Sequence, residues 1–88
     1  VPLAAYDQSV AQTYKFAMEY YKTKKNTTAQ IAALKDTQKQ WLVQRDTCGS
    51  NVACLEKSMG SRINKIDYEV AFYAYKSGNG NPPFPVED

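Results

Sequence analysis

Apolar residues recur along three segments of the chain at spacings of three, four or seven positions, the pattern of a helix with one buried face. The first stripe runs from Leu3 to Tyr21, the second from Ile31 to Cys48 and the third from Leu55 to Tyr73. No segment carries the alternation typical of a strand. The pattern therefore predicts an all-α protein with three helices.

The residues between the stripes fix where the helices end. Thr27 or Thr28 can cap the second helix, Gly49 can stop it, and Asn51 can cap the third. Connections of about four to seven residues favour antiparallel neighbours, so we predict an up-down-up bundle. Residues 1–78 then form a single domain. Residues 79–88 are rich in Gly, Asn and Pro, and we expect an irregular tail there.

Polar residues interrupt the apolar stripes where one helix faces another. In antiparallel helices the position numbers of facing residues have a nearly constant sum, which pairs Asp7 with Arg45 and Tyr14 with Gln38. The same rule places Arg62 beside Trp41, where a stacked contact is worth about 0.5 to 2 kcal/mol. We interpret six residues as a structural polar core: Asp7, Tyr14, Gln38, Trp41, Arg45 and Arg62.

This polar core makes a prediction and leaves an alternative open. If the Asp7–Arg45 pair is deeply buried, Arg45→Ala should lower the melting temperature sharply, because a charge would be left uncompensated. Alternatively, Asp7, Arg45 and Arg62 line a pocket and bind a substrate or anion.

Composition restricts the chemistry that this small domain can carry out. The 88 residues contain 11 Lys and Arg against 9 Asp and Glu. A net charge of +2 is too small to indicate a surface that binds nucleic acid. No apolar run approaches the length of a membrane span. The chain has no His, and no motif places a base beside a nucleophile, so we predict neither an enzyme nor a cofactor.

The two cysteines, Cys48 and Cys54, are separated by five residues. A closed zinc site needs four ligands, which two Cys without His do not supply, and a redox motif has two intervening residues rather than five. A disulfide between the second and third helices would instead stabilise the domain by about 2 kcal/mol. Structural disulfides persist in oxidising compartments, so we predict a periplasmic or secreted protein with no metal site.

Two surfaces are candidates for binding a protein partner, since aromatic side chains are rigid anchors. One is the disulfide loop, and the other is a pair of aromatic rows that end at the same pole, beside several lysines. In the alternative interpretation Phe84 and its neighbouring prolines cover the rings. The candidate partner-binding residues are Gly49, Ser50, Asn51, Val52 and Ala53 in the loop, and Phe16, Tyr20, Tyr68, Phe72 and Tyr75 in the rows.

The segment around the cysteines reads Q-x2-W-x3-R-x2-C-x5-C-L-x6-R, from Gln38 to Arg62, and it resembles the C-terminal signature of the LprI-type lysozyme-inhibitor domain family. Upstream, the spacing L-x3-D-x6-Y-x2-A is similar to that family's first helix. The likeness spans Leu3 to about Asp67. It implies a small, exported, disulfide-bonded helical protein of bacteria, and for some members the ability to inhibit lysozyme.

From this resemblance we predict an exported bacterial binding protein that inhibits a muramidase by protein–protein contact. Two alternatives stay open. The first is a structural or accessory envelope domain, or a fragment of a larger exported protein, which docks through its aromatic end. The second is an immunity protein that neutralises a toxin.

Overall fold

The computed structural model describes residues 3–76, and all the regular structure in that range is helical. Helix α1 spans Leu3–Lys22, α2 spans Thr28–Asp46 and α3 spans Val52–Lys76. The prediction of three helices is therefore confirmed. The predicted tail, residues 79–88, lies outside the described residues, so the division into a domain and a tail stays a prediction.

The helix ends follow the sequence signals only in part. Asn51 caps α3 as predicted, because its Oδ1 accepts a hydrogen bond from the Cys54 N–H at 3.0 Å. Gly49 has a φ of 60°, the left-handed conformation that glycine adopts without steric cost. Thr27 directly precedes α2, but its side chain makes no capping bond. Its buried hydroxyl donates instead to the Tyr21 carbonyl at 2.6 Å and ties the end of α1 to the start of α2.

The core consists of two clusters of buried side chains. Each draws residues from all three helices, and α1 packs more extensively on α3 than on α2. The cluster nearer the α1–α2 connection contains Ala17, Met18, Tyr21, Leu34 and Ile66, and the cluster nearer the disulfide contains Val10, Trp41 and Met59.

The predicted register between α1 and α2 agrees with the contacts. Nη1 of Arg45, at the end of α2, donates to Oδ1 of Asp7, near the start of α1, at 3.4 Å. At the other end of the bundle, Tyr21 of α1 packs against Tyr73 of α3. The first contact pairs the end of α2 with the start of α1, as in antiparallel helices, and the second pairs the ends of α1 and α3, as in helices that run the same way. An up-down-up order is the interpretation that fits both.

The register between α2 and α3 differs from the prediction by about one turn. Nε1 of Trp41 donates to the carbonyl oxygen and to Oγ of Ser58, at 3.1 and 3.0 Å. Ser58 lies four positions before Arg62, the predicted neighbour. The prediction continued the helical stripe of α2 as far as Cys48, whereas α2 ends at Asp46 and Cys48 lies in the connecting turn. The turn, rather than the cross-link, determines which residues face each other.

Candidate functional site

The disulfide closes one end of the bundle. Cys48 and Cys54 are bonded, with their Cα atoms 5.5 Å apart. This is the usual separation for a disulfide. The predicted cross-link is therefore confirmed. We call the last turn of α2, residues 47–51 and the first turn of α3 the disulfide end.

The disulfide end presents its backbone and several aliphatic side chains to solvent. All five predicted loop residues, Gly49 to Ala53, are exposed. Val52 is among the large apolar residues that remain exposed, and so are Leu42 and Val43 at the end of α2, where 69% of Val43 is accessible. These exposed aliphatic residues make the disulfide end a candidate interaction surface.

A groove of about 380 Å³ lies beside these residues, between the start of α1 and the connecting turn. Arg45 Nη1 lies 3.4 Å from Asp7, and its Nη2 lies 3.9 Å from Asp46. Two carboxylates thus surround one guanidinium, which gives the groove a local excess of negative charge. The groove is lined by Leu3, Asp7, Arg45, Asp46, Gly49, Leu55 and Met59.

The Asp7–Arg45 pair exists but is not deeply buried. The Asp7 side chain is 59% exposed and that of Arg45 is 27% exposed. Solvent screens such a pair, so the expected sharp loss of stability in Arg45→Ala does not follow. The Arg45 guanidinium also lies 5.3 Å from the centre of the Trp41 ring. Arg45 therefore makes the contact with Trp41 that we predicted for Arg62.

Arg62 is the buried arginine of the two, with 3% of its surface exposed. Its Nε donates to Gln38 Oε1 at 2.7 Å, and its Nη2 donates to Thr37 Oγ1 at 3.2 Å and the Leu34 carbonyl at 3.5 Å. Gln38 therefore binds Arg62, and among residues 3–76 no hydrogen bond joins it to Tyr14. Burial lowers the pKa of Arg62 from its ordinary value.

The alternative interpretation, in which Asp7, Arg45 and Arg62 line one pocket that binds a substrate or anion, does not fit the structure, because the three residues do not share a pocket. Asp7 and Arg45 line grooves beside α1, whereas Arg62 lines a separate cleft between α2 and α3. Sequence reasoning also missed two hydroxyl groups: that of Thr37 accepts a hydrogen bond from Arg62, and that of Ser58 accepts one from Trp41. Their hydroxyls lie within the α2–α3 interface, and only the correct register would have found them.

Tyrosine rings hold together the opposite end of the bundle, the aromatic end. Tyr20, Tyr21 and Tyr73 meet edge to face, with ring centres 5.5 to 6.2 Å apart, an arrangement that aromatic rings prefer. Burial of Tyr21 raises the pKa of its phenol, and the negative charge of Glu69 raises it further. Of these rings, only Tyr20 belongs to the predicted partner-binding rows.

The predicted aromatic rows line two grooves rather than one surface. Phe16 and Tyr20 border a small groove on α1. Tyr68 and Phe72 stack with ring centres 6.0 Å apart and border a larger groove of about 460 Å³ between α2 and α3. The Tyr75 ring lies next to the Phe72 ring, and their centres are 6.5 Å apart. The predicted cover by Phe84 lies outside the described residues.

Basic groups surround the aromatic end. Lys24 lies over the Tyr20 ring at 5.2 Å, and Lys76 lies over the Phe72 ring at 5.4 Å. Both separations are within the range of cation–π contacts. Lys22 and Lys25 are exposed nearby. The aromatic end is therefore more basic than the disulfide end.

The comparison with protein families decides the identity of the domain. The family model described as "Lysozyme inhibitor LprI" matches residues 2–71 of the 88. The chain belongs to the LprI family. No curated protein and no solved structure matches it.

The LprI match explains which residues carried the resemblance in the sequence. The signature residues Trp41, Arg45 and Arg62 all pack between helices, and Cys48 and Cys54 close the turn between α2 and α3. Their spacing is therefore tied to the way the helices are held together. Within residues 3–76, no group of three or more Cys, Asp or Glu side chains is arranged to hold a metal ion. In the same range no helix is long and apolar enough to span a membrane.

Proposed function

We propose that this LprI-family chain is an exported bacterial protein that inhibits lysozyme by binding to it. The match of residues 2–71 to a family of lysozyme inhibitors is the observation that carries the proposal. The Cys48–Cys54 disulfide supports a periplasmic or secreted location, because such bonds persist in oxidising compartments. Inhibition by contact requires no catalytic group on this chain, and we assign it none.

The disulfide end is our candidate for the surface that contacts lysozyme. The disulfide restrains its loop, so little conformational freedom would be lost on binding. Exposed Val43 and Val52 offer apolar area, and the neighbouring groove carries the carboxylates of Asp7 and Asp46. Many lysozymes are strongly basic, and a surface with local negative charge would steer them to this end.

The aromatic end is less suited to a basic partner. Lys22, Lys24, Lys25 and Lys76 surround it, and they would repel a cationic enzyme at long range. Its groove of about 460 Å³, bordered by aromatic rings, instead supports our second candidate function. In that case the chain is an accessory envelope domain that docks to a partner through these rings.

A lysis assay tests the proposal. Purified, oxidised protein is added to lysozyme and a suspension of bacterial cell walls, and the fall in turbidity is followed. We expect inhibition at micromolar protein or below, and weaker inhibition after reduction of the disulfide. A Cys48→Ser/Cys54→Ser variant should match the reduced protein, which controls for effects of the reductant on lysozyme. If a micromolar excess of oxidised protein has no effect, the inhibitor function is wrong and the accessory function is favoured.

A further inference from the structure

Arg62 carries a buried charge whose bonded partners are neutral. Its hydrogen bonds go to an amide oxygen, a hydroxyl and a backbone carbonyl, on Gln38, Thr37 and Leu34. Within residues 3–76, no carboxylate oxygen lies within 4.0 Å of its guanidinium. The negative charge of Glu69 acts on Arg62 only from beyond that distance. A buried charge is costly unless an opposite charge compensates it, so this site favours an anion.

The bonds of Arg62 leave part of its guanidinium available. Nε and Nη2 act as the donors, and no hydrogen bond within the described helices uses Nη1. Arg62 also lines a cleft of about 170 Å³ between α2 and α3. An anion in that cleft would therefore meet a guanidinium that the protein already holds in position.

A second cation lies at the same cleft. Lys65 follows Arg62 by three positions on α3, which places both on one face of the helix, and it also lines the cleft. Further hydrogen-bonding groups come from Ser61 on α3 and Gln44 on α2. Lys65 has no ion pair among residues 3–76, so the two cations are not neutralised there.

We propose that this cleft binds a carboxylate group, with Arg62 and Lys65 supplying the positive charge. A carboxylate oxygen accepts charge-assisted hydrogen bonds from a guanidinium, and the Nη1 group of Arg62 is the donor that the described hydrogen bonds leave unused. The cleft volume of about 170 Å³ is below the roughly 300 to 1,000 Å³ of pockets for drug-sized ligands. It therefore suits a short acid or a single acidic side chain. This site is distinct from the disulfide end and does not depend on the inhibition of lysozyme.

The test is an NMR titration with sodium acetate at pH 7, with acetate replacing chloride at constant ionic strength. We expect a saturable shift of the Arg62 Nε–H signal and of the Ser61 and Lys65 amide signals. Lys65→Gln should weaken acetate binding about threefold or more, because it removes one of the two charges. Lys57→Gln is the matched control: it removes the same charge from an exposed position of α3 that does not line the cleft. It should leave the affinity within error.

Two further ligands define the chemistry of the site. N-acetyl-aspartic acid amide presents the carboxylate as a protein side chain would, and tighter binding than acetate would assign the cleft to an acidic residue of a partner. Equal or weaker binding would assign it to a free short acid. Inorganic phosphate acting at lower concentration than acetate would overturn the carboxylate assignment. The proposal would also be overturned by a shift at Arg62 that does not saturate, or by equal losses of affinity in the two lysine variants.

Discussion

The two ends of the bundle are closed in different ways and present different surfaces. At the disulfide end a covalent bond joins the turn after α2 to the first turn of α3, and several side chains around it stay exposed. At the aromatic end three tyrosine rings pack edge to face, with Tyr21 buried among them. A cross-link restrains a loop without covering it, whereas packing stabilises by removing surface from water. The disulfide end can therefore keep an accessible loop, with exposed Val43 and Val52 beside it, in a fixed shape.

The largest expected loss of unfolding free energy comes from a substitution at the aromatic end. Tyr21→Ala removes a buried ring that contacts Tyr20 and Tyr73. We expect the free energy of unfolding to fall by about 3 to 5 kcal/mol, as for other large aromatic side chains removed from a core. Urea denaturation followed by circular dichroism measures this. Tyr75→Ala, at an exposed position, should cost less than about 1 kcal/mol. Similar losses in the two variants would show that packing of Tyr21 does not close this end.

Removing the cross-link should have a smaller effect. The bond between Cys48 and Cys54 restricts only a short loop of the unfolded chain. The Cys48→Ser/Cys54→Ser variant should therefore lose about 2 kcal/mol of unfolding free energy. The wild-type protein in reductant should unfold at the same urea concentration as this variant. A loss as large as that of Tyr21→Ala would contradict the contrast between the two ends.

Arg45→Ala should cost only about 1 kcal/mol or less, because solvent screens its ion pair with Asp7. The rest of the expected loss of unfolding free energy comes from the contact between the Arg45 guanidinium and the Trp41 ring. Thermal unfolding of this variant and of Asp7→Asn, which removes only the ion pair with Asp7, separates that ion pair from the other contacts of Arg45. A loss above about 3 kcal/mol would restore the buried-pair interpretation.

The smallest expected effect is a loss of stability at alkaline pH that comes from Tyr21 at the aromatic end. The pKa of Tyr21 is raised above its ordinary value of 10.0, so the folded state holds the phenolic proton more tightly than the unfolded state. The stability that the protonated Tyr21 phenol contributes is fully present below the ordinary pKa of 10.0. It is lost as the pH rises through the higher pKa of the folded state. Melting temperatures between pH 9 and pH 11 should fall less steeply in Tyr21→Phe than in the wild type. Identical slopes would show that Tyr21 does not titrate in this way.

The helices and the cross-link could be predicted from sequence because each depends on local pattern. The apolar spacing predicted α1 to α3, and two cysteines without histidine indicated a disulfide. The register of α2 and α3 could not be predicted, since it depends on the shape of the connecting turn. That error placed Arg62 against Trp41 and hid the bonds of Trp41 to Ser58 and of Arg62 to Gln38.

The candidate surfaces were predictable as sets of residues but not as shapes. The loop Gly49 to Ala53 is exposed as expected. The aromatic rows divide between two grooves, because Tyr20 turns towards Tyr73 while Tyr68 stacks on Phe72. The groove at the disulfide end is lined by all three helices and the turn between α2 and α3, and no local spacing in the sequence indicates it.

A matched pair of variants tests the central claim, that the disulfide end binds lysozyme, most directly. Val43 and Phe16 are both 69% exposed, and they lie on different helices, Val43 at the disulfide end and Phe16 outside it. Each is changed to Arg, and the inhibition constant against lysozyme is measured for both proteins in oxidised form. We expect Val43→Arg to weaken inhibition about tenfold or more, as loss of a central contact does, and Phe16→Arg to change it less than about twofold. Weaker inhibition by Phe16→Arg with Val43→Arg unchanged would contradict the account.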